Sequence, residues 1–212
     1  MQNPLPQENK TATTPKATRP QTTGLGYRDL VRIALFAALI AVLGLVPKFD
    51  LPLAAGVPIT VQTLGVMLAG LLLGARNGAL SVLLFLFVVA LGAPVLSGGR
   101  GGLGVFFGPT VGFLIGWVFG AMAVGLVYQQ LAKWLPANRF AAGLIACWLG
   151  GIVVIYAFGV PGLAWVAGME SQQALKASLF FLPGDVLKSL LAAWVAARVP
   201  VDRHGALTGA SR

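Results

Sequence analysis

From Leu30 onward the chain is written in apolar runs, among them VQTLGVMLAGLLLG, ALSVLLFLFVVALGAPVL and VGFLIGWVFGAMAVGLVYQQLA, broken by short turns rich in glycine, proline or basic residues. A helix needs about 20 mostly apolar residues to cross the hydrocarbon layer of a bilayer. Such runs leave little sequence for a water-facing shell. Only 10% of the 212 residues are charged, against about 25% in an average soluble domain. Mean hydropathy is +0.84. The expected fold class is all-α: an integral membrane bundle of six transmembrane helices forming one domain.

The spans are expected over residues 29–46, 60–73, from the turn at 74–78 to 91, 109–131, 140–160, and a last one ending at Arg198. That last span begins at Gln172 with a kink at Pro183, or at Pro183 itself, since proline suits a helix start and disrupts a helix interior. Residues 1–28 read as a disordered basic tail, 29–199 as the membrane domain and 200–212 as a cytoplasmic tail. A loop with Pro47, Pro52 and Pro58 follows the first span, and a glycine-rich loop at 92–108 follows the third.

The formal charge of +9 invites a nucleic-acid reading. The distribution argues against it: the basic residues lie between apolar runs. Arg76, Lys133, Arg139 and the two tails hold most of them, while the alternate loops hold Lys48, Arg100 and Lys176 beside Asp50 and Glu170. Basic loops stay on the cytoplasmic side, so both termini are expected to be cytoplasmic and the glycine-rich loop to face outward. One histidine and one cysteine cannot build a zinc site of the usual ligands. No Gly-Lys dipeptide occurs, so there is no phosphate-binding loop of the Walker type. Uphill transport driven by ATP would need another chain to hydrolyse it. No serine–histidine or paired-carboxylate constellation lies within a span, so no enzyme activity and no cofactor are expected.

Against this background Asp185 and Lys188, in LPGDVLKSLLAAWVAARV, stand out. Three residues apart, they share one helix face. Ionisable groups at membrane depth are costly and mark functional sites by default; the bland alternative is an ion pair that pins helices together. A carboxylate accepts N–H donors and an ammonium donates to a carbonyl, the complement of a cyclic urea or an amide edge. Arg100, in SGGRGGLGVFFGPT, is a second candidate: its planar fork suits a carboxylate, and its plain alternative is a solvated loop arginine. Gln62 and Thr63 open the second span and either cap it, bond another helix, or line a pocket mouth. Tyr156 joins them; like Phe106, Phe107 and Trp165, it has a plain alternative as interfacial belt or core. Small residues recur every fourth position at Gly70, Gly74, Gly78 and at Gly108, Gly112, Gly116, Gly120, a spacing that lets helices pack closely. Ala34 and Ala38 have the same period on the first span.

The ordered motifs VPITVQTLGVMLAGLLLG, GAPVLSGGRGGLGVFFGPTVGFLIG and LPGDVLK resemble the BioY family, biotin-specific S components of energy-coupling-factor transporters. The resemblance covers most of residues 30–199. It implies a multi-pass protein of the bacterial inner membrane that captures biotin from outside. It also implies partnership with a transmembrane coupling subunit and two ATP-binding cassette ATPases, with Ala34 and Ala38 on the docking face. Asp185 and Lys188 would then hold the ureido ring, and Arg100 or the N–H groups at Gly101 and Gly102 the carboxylate. An S component for thiamine or a flavin, a secondary transporter using Asp185 as proton carrier, and a membrane scaffold are the competing readings. A homo-oligomer is left open.

Overall fold

A computed structural model describes residues 25–46 and 60–199. The three-proline loop, residues 1–24 and the whole C-terminal tail, 200–212, lie outside the described residues. The described residues hold a short 3-10 helix, Leu103–Phe107, and six longer helices: α1 Tyr27–Gly44, α2 Gln62–Ala90, α3 Val111–Trp134, α4 Arg139–Ala167, α5 Ser171–Leu179 and α6 Leu182–Arg198. Among the described residues there is no strand, only an isolated antiparallel bridge between Leu96 and Arg100. By length and composition α2, α3 and α4 can each cross a membrane, and the bent pair α5–α6 makes a fourth such unit.

α2 is not straight. Gly74 adopts φ 80°, ψ 178°, a conformation glycine reaches at little cost, and the chain doubles back there. A Cβ on Gly78 would stand 2.9 Å from the Ala69 carbonyl oxygen and 3.0 Å from the Cα of Gly70; in a straight helix, eight residues would part Gly70 and Gly78 by about 12 Å. The turn expected at 74–78 is therefore concentrated in one residue, and the small residues around it exist so that the two legs can touch.

The glycines of α3 do the same between helices. A Cβ on Gly116 would lie 2.9 Å from the Ile155 carbonyl oxygen and one on Gly120 3.0 Å from that of Gly150, so α3 and α4 meet backbone to backbone. Gly108 lies before the helix and takes no part. α4 runs to Ala167, past the expected end at 160, with Pro161 inside it and Gly168 closing it in the left-handed conformation. Its middle, Cys147–Val154, is a π-helical stretch. Gly150 and Gly151 face Val124 and Met67 there, so the widened turn presses the backbone of α4 onto α3 and α2. The last span is broken as well: α5 and α6 meet at 51°, and Pro183 sits in the first turn of α6.

Asn77 donates to Asp29 Oδ1 at 3.2 Å, tying the start of α1 to the reversal of α2. Gly125 of α3 packs on Ala75, and Gly143 near the start of α4 packs on Ala193 of α6. The start of α1 and the end of α6 thus share one end of the bundle. At the other end the close of α1, the start of α2 and the glycine-rich loop converge. The outer surface is apolar, with Leu35, Phe87, Leu187 and Trp194 exposed along it. Trp134 at one end and Trp165 at the other are 81% and 88% exposed, the placement aromatic side chains take at membrane–water boundaries.

Candidate functional site

The first turns of α6 carry Asp185 and Lys188 into a cavity of about 560 Å3, part of it open to solvent. Helical spacing puts the two on one face, and the Lys188 ammonium lies 2.7 Å from Asp185 Oδ1. Thr63, from the start of α2, bridges them: its hydroxyl accepts from Lys188 Nζ at 2.9 Å and donates to the same carboxylate oxygen at 3.3 Å. Tyr156, from α4, donates to the other oxygen at 2.8 Å. Three helices therefore deliver donors to one carboxylate that is almost fully buried. Removing one partner from such a pair strands a buried charge, at a cost of about 3–5 kcal/mol. Lys188 keeps one of its three protons for a further acceptor.

The remaining walls are apolar. Phe113, Leu114, Trp117, Ile155 and Phe181 line the cavity with Leu96 from the glycine-rich loop. Phe113 is edge-on to both Tyr156 and Phe181, with centroids 6.1 and 6.2 Å apart, a favoured aromatic geometry that also holds the Tyr156 ring in place. An arrangement of this kind, apolar walls with a few convergent polar groups, is typical of small-molecule sites.

Arg100 reaches the same cavity from the loop. Its Nε donates to the Ser97 carbonyl at 3.3 Å and its Nη1 to Thr110 Oγ1 at 3.4 Å. The leucine–arginine bridge that closes the turn, with Leu96 N–H to Arg100 O at 3.0 Å and Arg100 N–H to Leu96 O at 3.2 Å, fixes its backbone. The candidates Asp185, Lys188, Thr63, Tyr156 and Arg100 thus surround one space.

The other candidates stand differently. The Gly102 N–H donates to the Val89 carbonyl at 2.8 Å, and a Cβ on Gly101 would run into the Ala93 carbonyl. Both glycines pack against the end of α2 and the turn after it, and neither lines the cavity; the Gly102 N–H is spent on Val89. Gln62 borders the cavity, but its amide is bonded entirely to backbone. Ala34 and Ala38 are exposed on α1, whereas Ala37 is buried. Phe107 and Trp165 are exposed, in keeping with a boundary role, and Phe106 packs against the core.

A family model described as "BioY family" matches residues 12–203. The chain belongs to the BioY family. Within it, the chain is 50% identical over 184 residues to the biotin transporter BioY of Rhizobium etli, covering 84% of this chain and 95% of that protein. It is 48% identical over 190 residues to the biotin transporter BioY of Rhodobacter capsulatus, covering 85% and 97%. The crystal structure of the S-component for biotin from an ECF-type ABC transporter superposes with a TM-score of 0.75 at 31% identity, covering 82% of this chain and 94% of that one. As a BioY-family member the chain is a transporter component and not an enzyme.

Sequence reasoning did not single out Thr110, Phe113, Trp117 or Phe181 as cavity residues. Aromatic residues in an apolar helix look alike whether they pack on protein or on a ligand. Thr110 carried a weak signal, as the polar residue that opens α3 immediately after the glycine-rich loop.

Proposed function

We propose that this BioY-family chain is the substrate-capture subunit of a biotin uptake system. Residues 29–199 form the binding unit, crossing the bacterial inner membrane six times with both termini cytoplasmic. The single observation that carries the reading is the cavity floor of Asp185, Lys188, Thr63 and Tyr156. A cyclic urea presents one carbonyl between two N–H groups. Lys188 donates to that carbonyl and Asp185 accepts from an N–H, while the ring system lies against Phe113, Trp117 and Phe181. Arg100, beside Thr110, takes the carboxylate at the far end of the ligand. The kinship to biotin transporters favours this ligand over thiamine or a flavin.

Support for the topology comes from the shared end of α1 and α6, from the fold-back of α2 at Gly74, and from the bias of Arg76, Lys133 and Arg139 toward one side. Likeness to an S-component of an ECF-type ABC transporter supports a coupling subunit and two ATPases as partners. Ala34 and Ala38, exposed and small on α1, are the docking face for the coupling subunit, because small residues let a foreign helix approach closely.

The test is equilibrium binding of labelled biotin to the purified full-length protein. Wild type is expected to bind in the nanomolar range, about 12 kcal/mol. Asp185→Asn and Lys188→Ala are each expected to weaken binding by at least about 2 kcal/mol, since each strands a buried polar group on protein or ligand. Unchanged affinity in both variants overturns the site; no biotin binding by folded wild type overturns the function.

A further inference from the structure

Gln62 borders the cavity, yet none of its three hydrogen bonds points into it. It is 0% exposed. Its Nε2 donates to the Ile40 carbonyl of α1 at 3.1 Å and to the Val95 carbonyl at 3.2 Å. Its Oε1 accepts from the Ser97 N–H at 3.0 Å. The orientation of the amide is fixed by these neighbours: turned over, its oxygen would face two carbonyls and its NH2 group another N–H. Only a primary amide at this position can donate twice and accept once. Glutamate lacks the protons and methionine lacks both functions.

The bonds form a line. Ser97, whose N–H donates to Gln62, accepts at its own carbonyl from Arg100 Nε. From α1 the sequence of direct bonds is therefore Ile40 carbonyl, Gln62 amide, Ser97, Arg100. Gly44 is shaped to the same node: a Cβ there would run into the Val95 carbonyl and stand 2.6 Å from Gln62 Nε2. The close of α1, the start of α2 and residues 95–97 of the loop are thus clasped at one point, and Arg100 hangs from the clasp.

We propose that Gln62 is a positioning residue: it anchors residues 95–97 of the glycine-rich loop to α1 and so sets where the Arg100 guanidinium stands relative to the ligand's carboxylate. The proposal rests on the reading of Arg100 as the carboxylate partner. Gln62 then contributes to affinity without touching the ligand, and its contribution is confined to ligands that carry the anion.

The experiment compares biotin with its neutral carboxamide, which keeps the rings and loses the charge, on the full-length protein in detergent. The variants are Gln62→Met, Arg100→Ala, the double variant, and Gly44→Ala, which forces the clasp apart without removing the amide. Gln62→Met and Gly44→Ala are each expected to weaken biotin about tenfold, chiefly through faster dissociation, and to leave the carboxamide within about twofold, the scale of one charge-assisted hydrogen bond. The double variant is expected to bind biotin no worse than Arg100→Ala alone. If Arg100→Ala weakens biotin while Gln62→Met and Gly44→Ala do not, the positioning role is overturned and the Arg100 reading stands. Equal weakening of biotin and carboxamide by Gln62→Met also overturns it, because the residue would then act on the whole ligand or the whole fold. Should Gln62→Met fail to fold, Gly44→Ala decides by the same comparison. Unchanged biotin affinity in Arg100→Ala overturns the reading on which the proposal rests.

Discussion

Asp185 accepts from Lys188, Thr63 and Tyr156 at once, and each donor comes with its own expected loss. Tyr156→Phe removes one donor and keeps the ring against Phe113. It is expected to weaken biotin binding by about 1 kcal/mol, less than Lys188→Ala, because the carboxylate keeps its ion pair; titration of the two variants side by side checks the order. Ser97 makes the opposite case. Its hydroxyl is buried with no hydrogen-bond partner among the described residues, although its backbone is held by Gln62. Ser97→Ala is therefore expected to leave stability unchanged or to raise it by up to about 1 kcal/mol, read from thermal melts in detergent. The charged half of the candidate site was conspicuous in the sequence because ionisable groups are costly inside an apolar run and stand out there. Gln62 was legible as a polar residue opening a span, with a cap, a bond to another helix and a pocket mouth as its readings; which holds depends on Ile40, Val95 and Ser97, which lie 22, 33 and 35 residues away.

Helices in this chain are defined by where small residues allow contact. The reversal at Gly74 was foreseen from the Gly-Ala-Arg-Asn-Gly stretch, since glycine and asparagine mark turns. The course of α4 was not. Pro161 signals an end to a helix interior, yet α4 continues to Ala167 because Gly162 packs on Gly112 of α3 and tertiary contact outweighs the local preference. Gly78→Leu is expected to push the legs of α2 apart and to lower the melting temperature steeply, an overpacking cost of about 1–3 kcal/mol or more, whereas Gly104→Ala, with open space around it, is expected to be silent. On α1, Ala34→Trp and Ala38→Trp are expected to abolish copurification with the coupling subunit and to leave biotin affinity within about twofold, since both positions face away from the cavity-lining helices.

Taken whole, the molecule is a transporter component with an apolar exterior, and its sequence carries no phosphate-binding loop of the Walker type. The apolar exterior was plain in the composition. The number of passes was harder to read, because the legs of α2 are short and the final span is bent, so length alone marks only α2, α3, α4 and the α5–α6 pair. Proteoliposomes give the test at this scale. The protein alone is expected to bind biotin without accumulating it against a gradient. Accumulation is expected on adding the coupling subunit, the ATPases and ATP, and it should be insensitive to a proton uncoupler. Uphill uptake by the protein alone that collapses with the uncoupler would instead support Asp185 as a proton carrier.

The π-helical stretch at Cys147–Val154 makes α4 a geared part. Bonds from i to i+5 widen the helix by about one residue relative to the ordinary turn, and one residue corresponds to about 100° of rotation. Ala146 and Tyr156 therefore stand in two different angular phases of a single rod, one matched to α6 and one to the cavity. Deleting one residue from this stretch would let the helix close up without a break, and every hydrogen bond along it could still form. The segment beyond it would arrive turned, and the Tyr156 hydroxyl would be carried away from the Asp185 carboxylate.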